Sequence, residues 1–107
     1  MRKPTKAHII CHLLATRGPM TKAELLQETA RIEGKPYRPG SNISYFVPYN
    51  DLSGAYYMPS QSAMNGSLVY NGSIIPAGKR GTALLYINTA KGMAKAAEYS
   101  DWLALQA

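Results

Sequence analysis

The sequence predicts an α+β fold, and three observations carry that expectation. Apolar residues recur at helical spacing in two stretches before residue 34 and in a third after residue 89. Between 67 and 92, short apolar runs punctuated by Gly and Pro read as antiparallel strands joined by a turn. A chain of 107 residues suits one domain with a real core and is too short for two.

The first helix is expected to begin near Thr5, an N-cap type, and to run to about Thr16. Ala7, Ile10, Cys11 and Leu14 form its apolar face, widened by Ile9 and Leu13. Gly18-Pro19 stops it, since Gly permits a left-handed cap and Pro cannot continue a helix. Thr21 then opens a second helix with Glu24 three residues on, the spacing of a capping box. Ala23, Leu26 and Ala30, with Leu25 and Ile32, make its expected buried side, and Gly34 ends it.

Lys35-Pro36-Tyr37-Arg38-Pro39-Gly40 reads as a stiff loop. Ser41 is a good N-cap for a short helix with Ile43, Phe46 and Val47 inward, which Pro48 interrupts. The same residues also suit a strand. Residues 48–66 form a Tyr-, Ser- and Gly-rich insertion, either an extra hairpin or a mobile loop. Leu68-Val69-Tyr70 with Ile74-Ile75 is then expected as one arm of a hairpin and residues 82–87 as the other, with Pro76-Ala77-Gly78-Lys79-Arg80-Gly81 as its loop. Asn71-Gly72 is a turn signal that would split the first arm into a three-stranded meander. A bend within one strand is preferred, because residues 82–88 need a partner of comparable length. Thr89 caps a last helix, along which Met93, Ala96, Ala97 and Ser100 share one side, with Tyr99, Trp102 and Leu103 adding bulk.

Two short motifs in this order resemble one family. Gly18-Pro19-Met20-Thr21 followed by Ala23-Glu24-Leu25, and later Tyr86-x-x-Thr89-x-Lys91-Gly92, are similar to the turns with which winged helix-turn-helix domains enter their second helix and leave their wing. The resemblance covers roughly residues 5–34 and 67–100. It implies a three-helix core, a small antiparallel sheet carrying the wing, and a C-terminal helix. It also implies sequence-specific binding of double-stranded DNA by a small transcriptional regulator. The sequence departs from the family in the middle, where the recognition helix is shortened by Pro48 and followed by the insertion at 48–66.

Charge agrees with that implication. The formal net charge is +6, and from Lys35 to Lys95 there are six cations against one anion, Asp51, while Glu24, Glu28 and Glu33 crowd the second helix. Such asymmetry suits a polyanion, whose condensed counterions are released on binding. Lys79 and Arg80, bracketed by Gly78 and Gly81, are the expected wing contacts, reaching phosphates or a narrow minor groove. Arg38 and Lys35 are expected on the DNA backbone, and Ser41, Asn42, Ser44 and Tyr45 at the base edges.

Other chemistry is weaker. His8 and His12 lie one helical turn apart beside Cys11, but a structural zinc wants four ligands, so surface histidines with a packed thiol are expected and no metal. No cofactor, no small-molecule ligand and no catalytic set is expected; Gly78-Lys79-Arg80-Gly81 lacks the spacing of a nucleotide-phosphate loop. A lone cysteine suits a reducing compartment, and no apolar run reaches the roughly 20 residues of a membrane span, so a cytoplasmic protein is expected. A homodimer would match a two-fold operator. The alternative to DNA binding is a protein-interaction module that docks on or inhibits another protein through the Tyr-rich middle.

Overall fold

The computed structural model describes residues 3–38, 43–46 and 67–106. Three α-helices and a three-stranded antiparallel sheet follow one another as α1 (Lys6–Arg17), β1 (Met20–Thr21), α2 (Lys22–Glu33), a 3-10 turn (Ile43–Phe46), β2 (Ile74–Arg80), β3 (Ala83–Asn88) and α3 (Ala90–Gln106). The insertion at 48–66, Ser41 and Asn42 lie outside the described residues, so the choice between hairpin and loop there stays open.

The helix ends form as their caps dictate. At α2 the Thr21 hydroxyl accepts from the Glu24 amide at 3.2 Å, and the Glu24 carboxylate accepts from the Thr21 amide at 3.0 Å. Gly34 closes the helix in the left-handed conformation, with φ at 70°. The cap also explains a strand. An N-cap backbone must be extended, and Thr21, at φ −80° and ψ 163°, is. Met20 and Thr21 therefore lie flat beside β3, pairing with Tyr86 and Leu85, and become the third strand of a sheet ordered β1-β3-β2.

The hairpin differs from the expected one in its arms. Residues 68–70 are not strand but part of a run of turns. Leu68 is fully buried there, and its carbonyl accepts from the amides of Ser73 and Ile74. Asn71-Gly72 belongs to these turns, since the Asn71 side chain accepts from the Ser73 amide, a local bond that competes with a strand ladder. Residues 76–80, expected as loop, instead continue β2 to Arg80, opposite Ala83. The register slips by one residue between Pro76 and Lys79, a bulge in which Gly78 takes φ 98°. A strand can thus contain both Pro and Gly because β2 is the edge of the sheet.

The core lies where α1 meets α3, α2 and the inner face of the sheet. Ile10, Cys11, Leu13, Leu25, Leu68 and Ile74 are essentially inaccessible within it. The buried face of α2 is rotated from the one expected, and α3 turns inward a face that the sequence left unassigned. In α2, Leu25, Leu26 and Thr29 are buried while Ala23 is exposed. In α3, Gly92, Ala96 and Tyr99 face inward, while Met93, Ala97 and Ser100 face out. Bulk decides: the Tyr99 ring, tilted against His12 and stacked on Trp102, offers far more apolar area than a serine or alanine. Among the described residues no helix is long and apolar enough to cross a membrane.

Candidate nucleic-acid interface

The hairpin leaves the body of the protein soon after Ile74. Every residue from Ile75 to Leu84 is exposed, a projection of roughly 15 Å at about 3.3 Å per strand residue. Lys79 and Arg80 lie at its outer end, just before the two-residue turn Gly81-Thr82. Successive strand residues point to opposite faces, so the two cations leave the hairpin on different sides. Arg80 turns toward α2, where Nη1 donates to both Glu24 oxygens at 2.7 Å. Lys79 has no acidic partner among the described residues.

Around Arg80 a shallow cleft is lined by Arg17, Met20, Glu24, Gln27 and Glu28. The Glu28 carboxylate pairs with Arg17 and, at 2.7 Å, with Arg31. Those two guanidinium groups hold its pKa at about 2, Arg31 contributing most. Glu24 is lowered as well, first by the Thr21 amide and then by Arg80. Lys22 stands beside the hairpin end, in a groove shared with Thr82, Ala83 and Leu84. Arg17 and Arg80 thus line the cleft beside α2, and Lys22 opens that helix against the hairpin end, where the helix dipole already favours anions. The sequence does not mark Arg17 and Lys22, because no local pattern links the end of the first helix or the start of the second to the hairpin. Only the register of β1 on β3 brings them to the hairpin.

The remaining expected residues lie elsewhere. Lys35 and Arg38, both exposed, line a cleft with Lys6, Thr29, Ala30, Glu33 and Tyr37. At about 3.6 residues per turn, Glu24, Gln27 and Glu28 occupy one side of α2 and Leu26, Thr29, Ala30 and Glu33 the other. The structure therefore brings Lys35 together with Arg38, and Lys79 together with Arg80, but it sets the two pairs against different sides of α2. Ser44 and Tyr45 belong to the 3-10 turn Ile43–Phe46, a single turn in place of a longer helix. Tyr45 is half-buried and packs against the core, and its carbonyl accepts from the Leu68 amide at 2.8 Å. Beside it, the buried Phe46 ring meets Tyr86 at 5.3 Å between centroids.

No family model matches the chain, and neither a curated protein nor a solved structure does. The site must be read from its own chemistry.

His8 is held by protein groups, whereas the buried Nδ1 of His12 has no hydrogen-bond partner among the described residues. The Thr5 amide donates to Nδ1 of His8 at 3.2 Å, which leaves Nε2 to carry the proton and donate to Glu98 at 2.7 Å. His12 lies against the Tyr99 ring at 4.7 Å, and burial lowers its pKa, with Arg17 adding to the effect. Cys11 is inaccessible, and burial pushes its thiol up to about 11. Among the described residues no group of three or more His, Cys, Asp or Glu could hold a metal ion.

Proposed function

We propose that the chain is a winged helix-turn-helix domain that binds duplex DNA, as a small transcriptional regulator would. Two features support the architecture: helix, short strand, helix, 3-10 turn and hairpin, then helix; and a sheet ordered β1-β3-β2. The observation that carries the function is the projecting hairpin with Lys79 and Arg80 at its end, joined by Lys22 at the start of α2 and Arg17 in the cleft beside that helix. Every acid on α2 is already paired with a cation from elsewhere, Glu33 with Lys6, Glu28 with Arg17 and Glu24 with Arg80. The helix therefore presents little net negative charge to a phosphate. Lys35 and Arg38 remain backbone contacts in this reading, reached across the far side of α2.

Fluorescence anisotropy with a labelled duplex, repeated over a range of salt, tests the proposal. Replacing Lys79 and Arg80 together by Ala removes two phosphate contacts. Affinity should fall across all sequences, and the slope of log K against log salt should lessen by about 1.8, at about 0.9 per phosphate. Unchanged affinity at low salt overturns the hairpin's role.

One observation favours a protein-interaction module, on a surface other than the Tyr-rich middle expected for it, whose residues 48–66 lie outside the described ones. Leu103 is exposed near the end of α3, and Ile32 at the end of α2, in a groove they line with Ile9, Tyr99 and Trp102. Under that reading DNA is not bound at any salt, and sedimentation detects association with a protein, a second copy included.

A further inference from the structure

Arg80 does not wait unpartnered for DNA. Its Nη1 donates to both oxygens of Glu24, and Glu24 is itself held in place by the Thr21 amide at 3.0 Å in the capping box of α2. The other acid of the cleft, Glu28, is taken by Arg17 and Arg31, and Gln27 is neutral. We propose that Glu24 is the counter-ion a DNA phosphate must replace on Arg80, so that this one carboxylate lowers the hairpin's affinity for duplex of arbitrary sequence. The inference rests on duplex binding by the hairpin and names how that same site is restrained.

The physical argument is one of exchange. Carboxylate and phosphate compete for the same guanidinium through charge-assisted hydrogen bonds. Because the capping box keeps Glu24 fixed, an arriving phosphate meets its charge even after taking its partner. Arg80 and Glu24 side chains are 58% and 40% exposed, so water and salt weaken their pairing. An exposed pair of this kind changes an equilibrium by up to about fivefold. The restraint is therefore small enough for a phosphate to overcome, yet large enough to measure.

Glu24→Gln separates the restraint from the cap, because a capping box accepts Gln as well as Glu. Anisotropy with a duplex of random sequence at low salt should show the variant binding roughly two- to fivefold tighter than the unmodified chain. In the Arg80→Ala background that gain should vanish, which is the coupling a double-mutant cycle isolates. Glu28→Gln removes the same charge from the same side of α2 without touching Arg80, and whatever it gains should persist in Arg80→Ala. A Glu24→Gln gain that survives in Arg80→Ala is a general charge effect and overturns the inference. So does the absence of any gain while the unmodified chain binds. No binding by the unmodified chain at low salt overturns the DNA reading itself, and this inference with it. Should Glu24→Gln fail to fold, the Nε–H resonance of Arg80 in the unmodified chain decides: added duplex should shift it, and an unmoved resonance at saturation overturns the exchange.

Discussion

Gly92 shows how one residue can be required by packing alone. It sits in the first turn of α3 and is buried against the turn before β2. A Cβ placed there would collide with the Ser73 carbonyl oxygen and would lie 2.6 Å from Asn88 Oδ1. Neither neighbour can give way cheaply. The Ser73 carbonyl accepts from the Thr89 amide and hydroxyl, both at 3.0 Å, and the Asn88 side chain donates to the Cys11 carbonyl at 2.8 Å. Gly92→Ala should therefore cost about 3 kcal/mol, the upper range for forcing extra atoms into a packed site. A fall in the urea midpoint with the slope unchanged would measure it. A similar residue, Gly34, ends α2 in open space, so its requirement comes from a positive φ and not from any neighbour.

At the scale of the element, α2 carries its polar face as a row of ion pairs, and acid should reveal it. Glu28 titrates near 2 in the folded protein because Arg31 and Arg17 hold its charged form, whereas an unfolded chain would titrate near 4.5. Below about 4.5 the unfolded chain binds the extra proton and the folded one does not. The contribution of Glu28 to stability is thus complete above about 4.5, and it is lost as pH falls through about 2. Glu24, lowered by the Thr21 amide and Arg80, acts in the same direction. Urea titrations at a series of pH values should show stability declining over this window, and Glu28→Gln should flatten the decline. The hairpin behaves differently from the helices as an element. Only Ile74 of β2 is buried, so its outer half is held by the β2–β3 ladder and the Arg80 pair. Removing Arg80 should leave the midpoint of global unfolding nearly unchanged, since water and salt screen so exposed a pair.

In the whole molecule, α1 is the member that the rest encloses. Its buried residues Ile9, Ile10, Cys11, Leu13 and Leu14 meet α2, α3 and β3. Cys11 lies fully buried among them, with its thiol held protonated up to about 11 by loss of hydration. A disulfide reagent needs a thiolate in contact with water, so Cys11 should be labelled only when the domain opens globally. Labelling rates should follow urea with the slope of global unfolding; a rate nearly independent of urea would show that α1 or α3 detaches by itself. Segments far apart in sequence also meet in this core, as the Phe46–Tyr86 contact, 40 residues apart, and the His12–Tyr99 contact, 87 residues apart, illustrate.

Much was legible before any coordinates, because it is written in neighbouring residues. Thr21 with Glu24 is a capping box in any fold, Gly34 a left-handed stop, and Thr89 a cap whose hydroxyl accepts from the Gly92 amide. Two helices, a hairpin bearing Lys79 and Arg80, and a closing helix follow from such local signals. What only the tertiary structure decided are the relations between distant segments. Met20 and Thr21 became a strand because β3 lay alongside them, and Leu68 left the hairpin because its side chain was drawn into the core. On α3 the inward side is the one that carries Tyr99 with Ala96 and Gly92, while Ala97 faces out. Arg80 met Glu24 across 56 residues, and Lys35 with Arg38 went to the other side of α2. Caps and turns depend on energies exchanged within a few residues. Faces, registers and charge partners depend on which surfaces the folded chain can bury together, and no local pattern encodes that.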